Sequence, residues 1–459
     1  MIPSQKSAER PVALLLAPDI LDLLDSSPGD IAAETEELHP ANLADVAQAL
    51  PSERVVEFLR ALPTARAADV LEYLDDEIRT EVLEALSTTQ AAALVSEMTP
   101  DDRADALEEL EDERADEILS EISTEARGET ERLLAYPADS AGGLMTTEFV
   151  SVPEDITVEA ALISVRNVAR AGRREAMHTV YATDARGEVR GVFSLRELLA
   201  APQGARIADI SWADVVSVPP TADREEVARL TSKYDLVAIP VVDEGRVLGV
   251  VTVDDVIDAM VEEQTEDAQR QGAVAPLEQP YFQAGFWNIA RKRGGWLVLL
   301  FVAEMLTGTA MRYYESTIAG ALSLMFFVPL IISSGGNSGS QSSTLITRAL
   351  AVGDVELRDG WRVLSRELGQ GLALGTFLGA IGFVRAVMWG NSSDLAAVVA
   401  ITLLAVVLTG TLVGAALPLA FTRFGLDPAI ASSPFVASFV DIAGILIYFS
   451  VATRILVVG

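Results

Sequence analysis

From Leu38 to Ile122 one column of apolar residues recurs every twelve positions: Leu38, Leu50, Leu62, Leu74, Leu86, Met98, Leu110 and Ile122. A second column follows at Leu59, Leu71, Leu83, Val95, Leu107 and Leu119. A fixed period of this kind means stacked units. Each unit reads as a helix of about two turns plus a tight turn, with Pro51 and Pro63 near successive helix starts, where proline is tolerated. Such units bury one continuous apolar ridge and stack into a superhelix. Residues 1–136 are therefore expected to form an all-α superhelical domain. Acids crowd its polar face, above all in "TPDDRADALEELEDERADE". A solvated face explains them; so does a cation-responsive surface turned towards another acidic domain.

The pattern changes after residue 136. "VSVP" occurs at Val150 and again at Val216. Each copy leads into a helical segment, strand-like residues, then a glycine and a helix start: "GVFSLRELL" (191–199) and "GVVTVDDVI" (249–257). This predicts two α/β units, 137–202 and 203–261, each strand–helix–strand–strand–helix, and the pair resembles tandem CBS domains. In adenosine-binding CBS modules the hydroxyl and the acid of this motif meet ribose and phosphate. The resemblance thus makes Ser194 with Glu197, and Thr252 with Asp255, candidate nucleotide contacts, with ATP the candidate ligand. A CBS pair also serves as a dimerising, deformable module without nucleotide.

Next comes an acidic helical stretch in which Asp255, Asp258, Glu262, Glu263, Glu266 and Asp267 fall largely at i, i+3 or i+4. Like charges at that spacing destabilise a helix. A divalent cation would remove the repulsion, which makes the stretch a candidate switch; a solvated linker is the plain alternative. From residue 286 onward, five apolar stretches are long enough to cross a bilayer: 296–314, 319–340, 368–389, 395–422 and 431–458. Arg291, Lys292 and Arg293, then Arg348, Arg358, Arg362 and Arg366, then Arg423 fall on one side of these spans. By the basic-loop rule that side is cytoplasmic, which leaves the C-terminus outside. The second stretch carries Pro329, Gly335, Gly336, Asn337, Gly339 and many hydroxyls, and reads as interrupted. Such backbone at membrane depth is tolerated where protein buries it or water lines it. Here Asn337 and Gln341 are expected to face ions, while close helix packing is the other use of small residues.

Composition sharpens this division. Up to residue 280 the chain has 58 acidic and 23 basic residues; beyond it the counts are 9 and 11. So acidic a soluble part repels nucleic acid and attracts cations. There is no cysteine, and His39 and His178 are the only histidines. Disulfides and thiolate metal sites are thereby excluded, and two histidines argue against a polyhistidine centre. No basic stretch followed by an apolar core opens the chain, so no cleavable leader is expected. No nucleophile–base pair or phosphate loop suggests an enzyme.

Within the apolar part, Asp441 stands alone in "SFVDIAGILIYFS". An intramembrane acid is costly and marks an ion or proton path by default. Arg454 is nearly four turns away along the same helix, too far to be its partner, and Glu304 is a second acid rather than a base. A cation path is the economical answer. Carboxylate, amide, hydroxyl and carbonyl oxygens suit hard ions such as Mg2+, Ca2+ or Mn2+; Mg2+ would keep several waters.

An acidic helical-repeat domain, a CBS pair, an acidic connecting helix and five spans, in this order, resemble the MgtE family of magnesium channels and transporters along essentially the whole chain. The most specific segments are "AGGLMTTEFVSV", "GGNSGSQSSTLITRALA" and "LPLAFTRFGLDPAIASSPFVASFVDIAGILIYFS". The resemblance implies a homodimer in the inner (plasma) membrane, embedded in lipid, with cytoplasmic N-terminal domains and no nucleic-acid partner. Mg2+ is then both substrate and regulatory ligand. Asp441 matches the intramembrane selectivity aspartate, and Asp427 the acid near the cytosolic pore end. Asp101, Asp102 and Asp105 match the N-domain face turned to the CBS pair. Asp223, Asp255, Asp258, Glu263, Glu266 and Asp267 match acids that collect Mg2+ at cytosolic interfaces. Residues 262–285 match the plug helix, and 286–459 the pore domain. Two positions depart from the pattern: Ser340 replaces the second Asn of the span-two signature, and Ser433 stands where Asn or Gly is common. Serine keeps an oxygen but loses an amide. The rival readings are an ion-coupled secondary transporter of divalent cations and a membrane-anchored nucleotide sensor.

Overall fold

The computed structural model describes residues 11–170, 179–202, 204–277, 281 and 284–456. It divides into two compact units, 1–260 and 261–459, each with buried cores of its own. His178 and the stretches 278–280 and 282–283 of the expected plug segment lie outside the described residues.

The first unit opens with α1 (Pro11–Ser26) and continues in short helices: α2 (Pro40–Ala49), α3 (Ser52–Ala61), α4 (Thr64–Glu72), α5 (Asp76–Ala85), α6 (Thr88–Val95), α7 (Pro100–Glu108), α8 (Asp112–Glu121) and α9 (Thr124–Leu133). Each helix packs on the next but one: α2 on α4 on α6 on α8, and α3 on α5 on α7 on α9. Both apolar columns of the sequence point inward. Leu59, Leu71, Leu83, Val95, Leu107 and Leu119 are buried within the helices, and Leu50, Leu62, Leu74, Leu86, Met98, Leu110 and Ile122 are buried just past helix ends. Pro51 and Pro63 take the N-cap position, as expected. Helix ends leave carbonyls without intrahelical partners. Arginines from later units supply donors: Arg66 reaches the Thr35 and Leu38 carbonyls, and Arg114 those of Leu83 and Leu86.

Two α/β repeats follow. The first comprises β1 (Val150–Pro153), α10 (Val158–Arg170), β2 (Thr179–Thr183), β3 (Val189–Ser194) and α11 (Leu195–Ala200). Its sheet has the order β1-β2-β3, parallel then antiparallel. The second comprises α12 (Arg224–Tyr234), β4 (Ala238–Asp243), β5 (Arg246–Thr252) and α13 (Val253–Gln271). Its leading strand, expected at 216–219, shrinks to a single parallel bridge between Val218 and Val241. Pro219 and Pro220 follow directly and have no N–H to extend a ladder.

α13 carries the acidic stretch but stops at Gln271, where Gly272 and Ala273 (φ +56°) reverse the chain. The expected plug helix over 262–285 is therefore helical only as far as 271 among its described residues. The second unit then consists of α14 (Phe286–Tyr313), α15 (Val328–Ala351), α16 (Gly360–Met388), α17 (Ser393–Arg423) and α18 (Ser433–Ile455). Five segments built on these are long and apolar enough to cross a membrane. The expected break in the second span is absent, because α15 runs unbroken through Gly335, Gly336, Asn337 and Gly339. Its glycines serve close packing instead. A Cβ at Gly414 of α17 would overlap the Gly339 carbonyl oxygen, and one at Gly410 would lie 2.5 Å from that of Gly335. α16 meets α17 in the same way through Gly371, Gly375 and Gly379.

Candidate functional site

Two groups of the predicted residues come together, one in each unit. In the first unit the N-terminus of α7 bears Asp101 and Asp102, with Asp105 one turn on, and the start of α13 bears Asp254, Asp255 and Asp258. Asp101 is 6 % exposed, and its Oδ1 accepts no hydrogen bond. Asp102 accepts the Thr99 hydroxyl at 2.7 Å, and Asp255 that of Thr252 at 2.5 Å. Glu72, from the end of α4, accepts the Thr99 N–H at 3.2 Å.

Six of these carboxyls, those of Glu72, Asp101, Asp102, Asp105, Asp255 and Asp258, are pushed above their ordinary range. Burial lifts Asp255 to about 8, aided by Asp101, Asp254 and Asp102 and opposed by the Thr252 hydroxyl. Burial and then Asp102 lift Glu72 to about 8. Lost hydration and the Asp101 and Asp102 charges lift Asp105 to about 7, against Arg79; burial and Asp102 raise Asp101 itself to about 6. Burial also raises Asp102 and Asp258. The bases nearby are engaged elsewhere: Arg79 with Glu109 and Asp76, Arg103 with Glu129 and Thr130. The cluster is thus short of positive charge. Among the described residues no three acidic or histidine side chains already stand in metal-ligating geometry, so an ion would have to draw the carboxylates closer.

A consequence can be measured. The folded unit keeps protons on these acids at a pH where the unfolded chain, with carboxyls near about 4, has released them. Metal-free stability is then fully present below that range and falls as pH rises through the folded values of about 6 to 8. In chelator, Tm of the purified chain should drop by roughly 2–4 °C per kcal/mol lost between about pH 5 and pH 8. A divalent cation should restore it most at the alkaline end, since it needs the deprotonated groups. Differential scanning fluorimetry would show this; a metal-free Tm that climbs over that interval would contradict it.

The remaining predicted residues of the first unit take local roles. Asp223 is exposed and caps α12, accepting the Glu225 N–H at 2.8 Å. Ser194 and Glu197 close a capping box on α11, and Glu197 also accepts the Trp212 indole N–H at 2.7 Å. Of the two hydroxyl–acid motifs, the first is therefore occupied with helix capping, and the second lends its acid, Asp255, to the cluster.

In the second unit Asp441 lies midway along α18, half-buried. Its Oδ1 is 3.7 Å from where a Cβ on Gly336 of α15 would stand. No hydrogen bond or ion pair reaches the carboxylate from any described residue, and its charged neighbour is another acid, Glu304. Beside it α15 shows an open polar stripe of Asn337, Gln341 and Thr344, at successive helical turns. Three other hydroxyls of α15, two buried and one half-buried, bind protein. Ser340, Ser343 and Thr347 donate to the carbonyls of Ser433, Ala431 and Pro428 at 3.2, 2.7 and 3.4 Å. They brace the segment leading from Asp427 into α18. Ser433 itself contributes a backbone carbonyl to this contact.

Asp427 accepts the Ala429 N–H at 2.7 Å and pairs with Arg270, which also pairs with Glu266. Asp267 is lifted to about 6 by partial burial, Asp427 and Glu263, against Arg270 and Arg348. Glu263, Glu266, Asp267 and Asp427 therefore share one neighbourhood, with an arginine already inside it.

The sequence reading missed Glu72, Arg270 and Glu367. Glu367 on α16 is 5 % exposed and accepts the Ser342 hydroxyl at 2.6 Å. One signal could have found it. It stands four residues before Gly371, at the head of the Gly371, Gly375, Gly379 series, and so on the face that packs.

Comparison with known proteins fits this geometry. Residues 328–451 match the MgtE divalent cation transporter family, 38–139 the MgtE intracellular N domain, and 141–204 and 207–262 the CBS domain. The magnesium transporter MgtE of Thermus thermophilus is 44 % identical over 331 residues, 72 % of this chain and 73 % of that protein. Its namesake in Bacillus subtilis is 33 % identical over 322 residues, 70 % of each chain. Among solved structures, the soluble part of a magnesium transporter aligns with TM-score 0.51 at 31 % identity, over 55 % of this chain and 99 % of that one. The cytosolic domain of the Mg2+ channel MgtE in complex with ATP aligns with TM-score 0.50 at 38 % identity, over 53 % and 99 %.

Proposed function

The chain belongs to the MgtE family of divalent cation transporters, and from that premise we propose that it is a Mg2+ channel closed by Mg2+ on its cytoplasmic side. The observation that carries this reading is Asp441: a carboxylate between membrane helices, with no base and no hydrogen-bond donor among the described residues. Such a group must take a proton or a cation. The polar stripe beside it offers amide and hydroxyl oxygens suited to a hydrated hard cation, and Mg2+, which gives up water reluctantly, passes with its shell largely kept. The open stripe also needs a polar or protein neighbour at membrane depth. A second copy of the chain meets that need and brings a second Asp441 to the path. On this reading the N-terminal domains lie in the cytoplasm and the C-terminus outside, the orientation that the arginine-rich loops favour.

Closure follows from the two acidic neighbourhoods. With cytosolic Mg2+ low, the ionised members of Asp101, Asp102, Asp105, Asp255 and Asp258 repel one another, and Asp267 is crowded by Glu263 and Asp427 in spite of Arg270, which pairs with Glu266 and Asp427. With Mg2+ high, ions between these carboxylates favour the compact arrangement. Several weak sites, each preferring the closed state, add their free energies and shift the population strongly; equal affinity for both states would shift nothing. The relative solved with ATP supports a nucleotide as a further ligand of the CBS pair.

The test is Mg2+ flux into liposomes holding the purified chain. Uptake should follow the Mg2+ gradient and membrane potential alone, and should fall as Mg2+ is raised on the face bearing the N-terminal domains. Flux that stops without a proton or Na+ gradient would instead establish a coupled transporter.

A further inference from the structure

The second unit buries a carboxylate that the proposed pathway does not use. Glu367 lies on the face of α16 that packs against α17 through Gly371, Gly375 and Gly379. Its side chain points to α15, where the Ser342 hydroxyl donates to Oε2 at 2.6 Å. Ser342 is 4 % exposed. From α17 the Thr411 hydroxyl reaches the Glu367 backbone carbonyl at 3.4 Å and the Leu408 carbonyl at 3.0 Å. An apolar side chain would fill this place without the desolvation cost of an acid. What the carboxyl adds is a fixed acceptor.

Its consequence lies on the opposite flank of the same helix. Ser340, Ser343 and Thr347 hold the segment 428–433. Ser342 falls between Ser340 and Ser343 in sequence but points away from both, so α15 is pinned on two sides. A rotation of about 100° is one residue of helix; a fraction of that would withdraw the three hydroxyls from their carbonyls and re-aim the exposed Asn337 and Gln341, which flank the Gly336 face that meets Asp441. The glycine contacts between α15 and α17 oppose a full one-residue turn, because a Cβ carried into them would overlap backbone, and they leave smaller turns to be set by the hydroxyl pins.

We propose that Glu367 is a positioning residue of the ion pathway: through Ser342 it fixes the rotation of α15, and with it the aim of the Asn337–Gln341 stripe and the brace on the entry to α18. This rests on the reading of the second unit as a cation path, so one arm of the test is independent of any ion. The chain has no cysteine, and Gln341→Cys therefore carries the only thiol. Its reaction with a charged methanethiosulfonate is read in three backgrounds: native, Glu367→Gln, which keeps an acceptor oxygen, and Glu367→Ala.

Thiol reactivity follows access, so the rate should stay within about twofold in Glu367→Gln and change by about fivefold or more in Glu367→Ala. Mg2+ flux should follow the same order: nearly native with glutamine, down by about tenfold or more with alanine, since misplacing a pathway group by about 1 Å is enough for such losses. Ser342→Ala should act like Glu367→Ala, and combining the two should add little. Unchanged labelling in Glu367→Ala overturns the proposal. So does a glutamine variant as impaired as alanine, because the charge rather than the acceptor would then be what matters. If the native chain carries no Mg2+, the labelling arm still decides. Ser342→Ala and Glu367→Gln are small enough changes to keep the test open should Glu367→Ala fail to fold.

Discussion

Asp441→Asn should all but abolish Mg2+ flux while leaving the protein folded. The substitution keeps size and shape but removes the charge that meets the cation. No protein partner is lost with it among the described residues, because none is there. Removing a group that acts only on the passing ion should lower transport by about a hundredfold or more, in the range seen when a single charged contact is withdrawn from a low-dielectric site. Thermal stability should hold or rise slightly, since an isolated buried acid is a cost to the fold. The check is a pair of measurements on one preparation: flux in liposomes and Tm in detergent. Flux within about threefold of native, a factor of under about 1 kcal/mol, would remove Asp441 from the path. A large fall in Tm would assign it to the fold instead.

The second large effect is on closure. Asp101→Asn combined with Asp255→Asn should release flux from inhibition by cytosolic Mg2+, moving the half-inhibiting concentration up by about tenfold or more. Asp101 brings the Oδ1 without a donor and Asp255 a carboxyl held near about 8; both gain most from an ion and lose it when neutralised. The same variant should lose part of the fall in metal-free stability with rising pH, because two of the acids behind it are gone while Glu72 and Asp105 remain. Conduction at low Mg2+ should be native. Inhibition that keeps its midpoint would show that the ions controlling closure bind elsewhere, the neighbourhood of Asp427 being the next place to examine.

The fold was largely legible because its signals are periodic. A twelve-residue column can only be one face of a stacked unit, and Leu59, Leu71 and Leu83 are buried as that argument requires. The doubled "VSVP" marked the α/β repeats, although Pro219 and Pro220 cut the second copy to one bridge. The middle of α15 misled. Glycine and serine in a row look like broken helix, and only the neighbouring helices reveal them as a contact surface: Gly339 against Gly414, Ser343 against the Ala431 carbonyl. The acidic cluster was legible in part. Asp101 and Asp102 came from the family resemblance and Asp255 from the acidic run, but Glu72 meets them from a helix whose sequence distance gives no hint of it. Arg270 lay in plain view at the end of the acidic run. What the sequence could not say is that a base so near would be spent on Asp427.

The N-terminal stack has one more property, that of parity. Because each helix rests on the next but one, successive twelve-residue units belong to alternate rows. Excising twenty-four residues ahead of α7 would shorten the stack and leave its aspartates on their own side. Excising twelve would transfer them to the other row, facing away from α13. Length in this region is thus a quantity that can vary only in even steps if the acids are to keep their company.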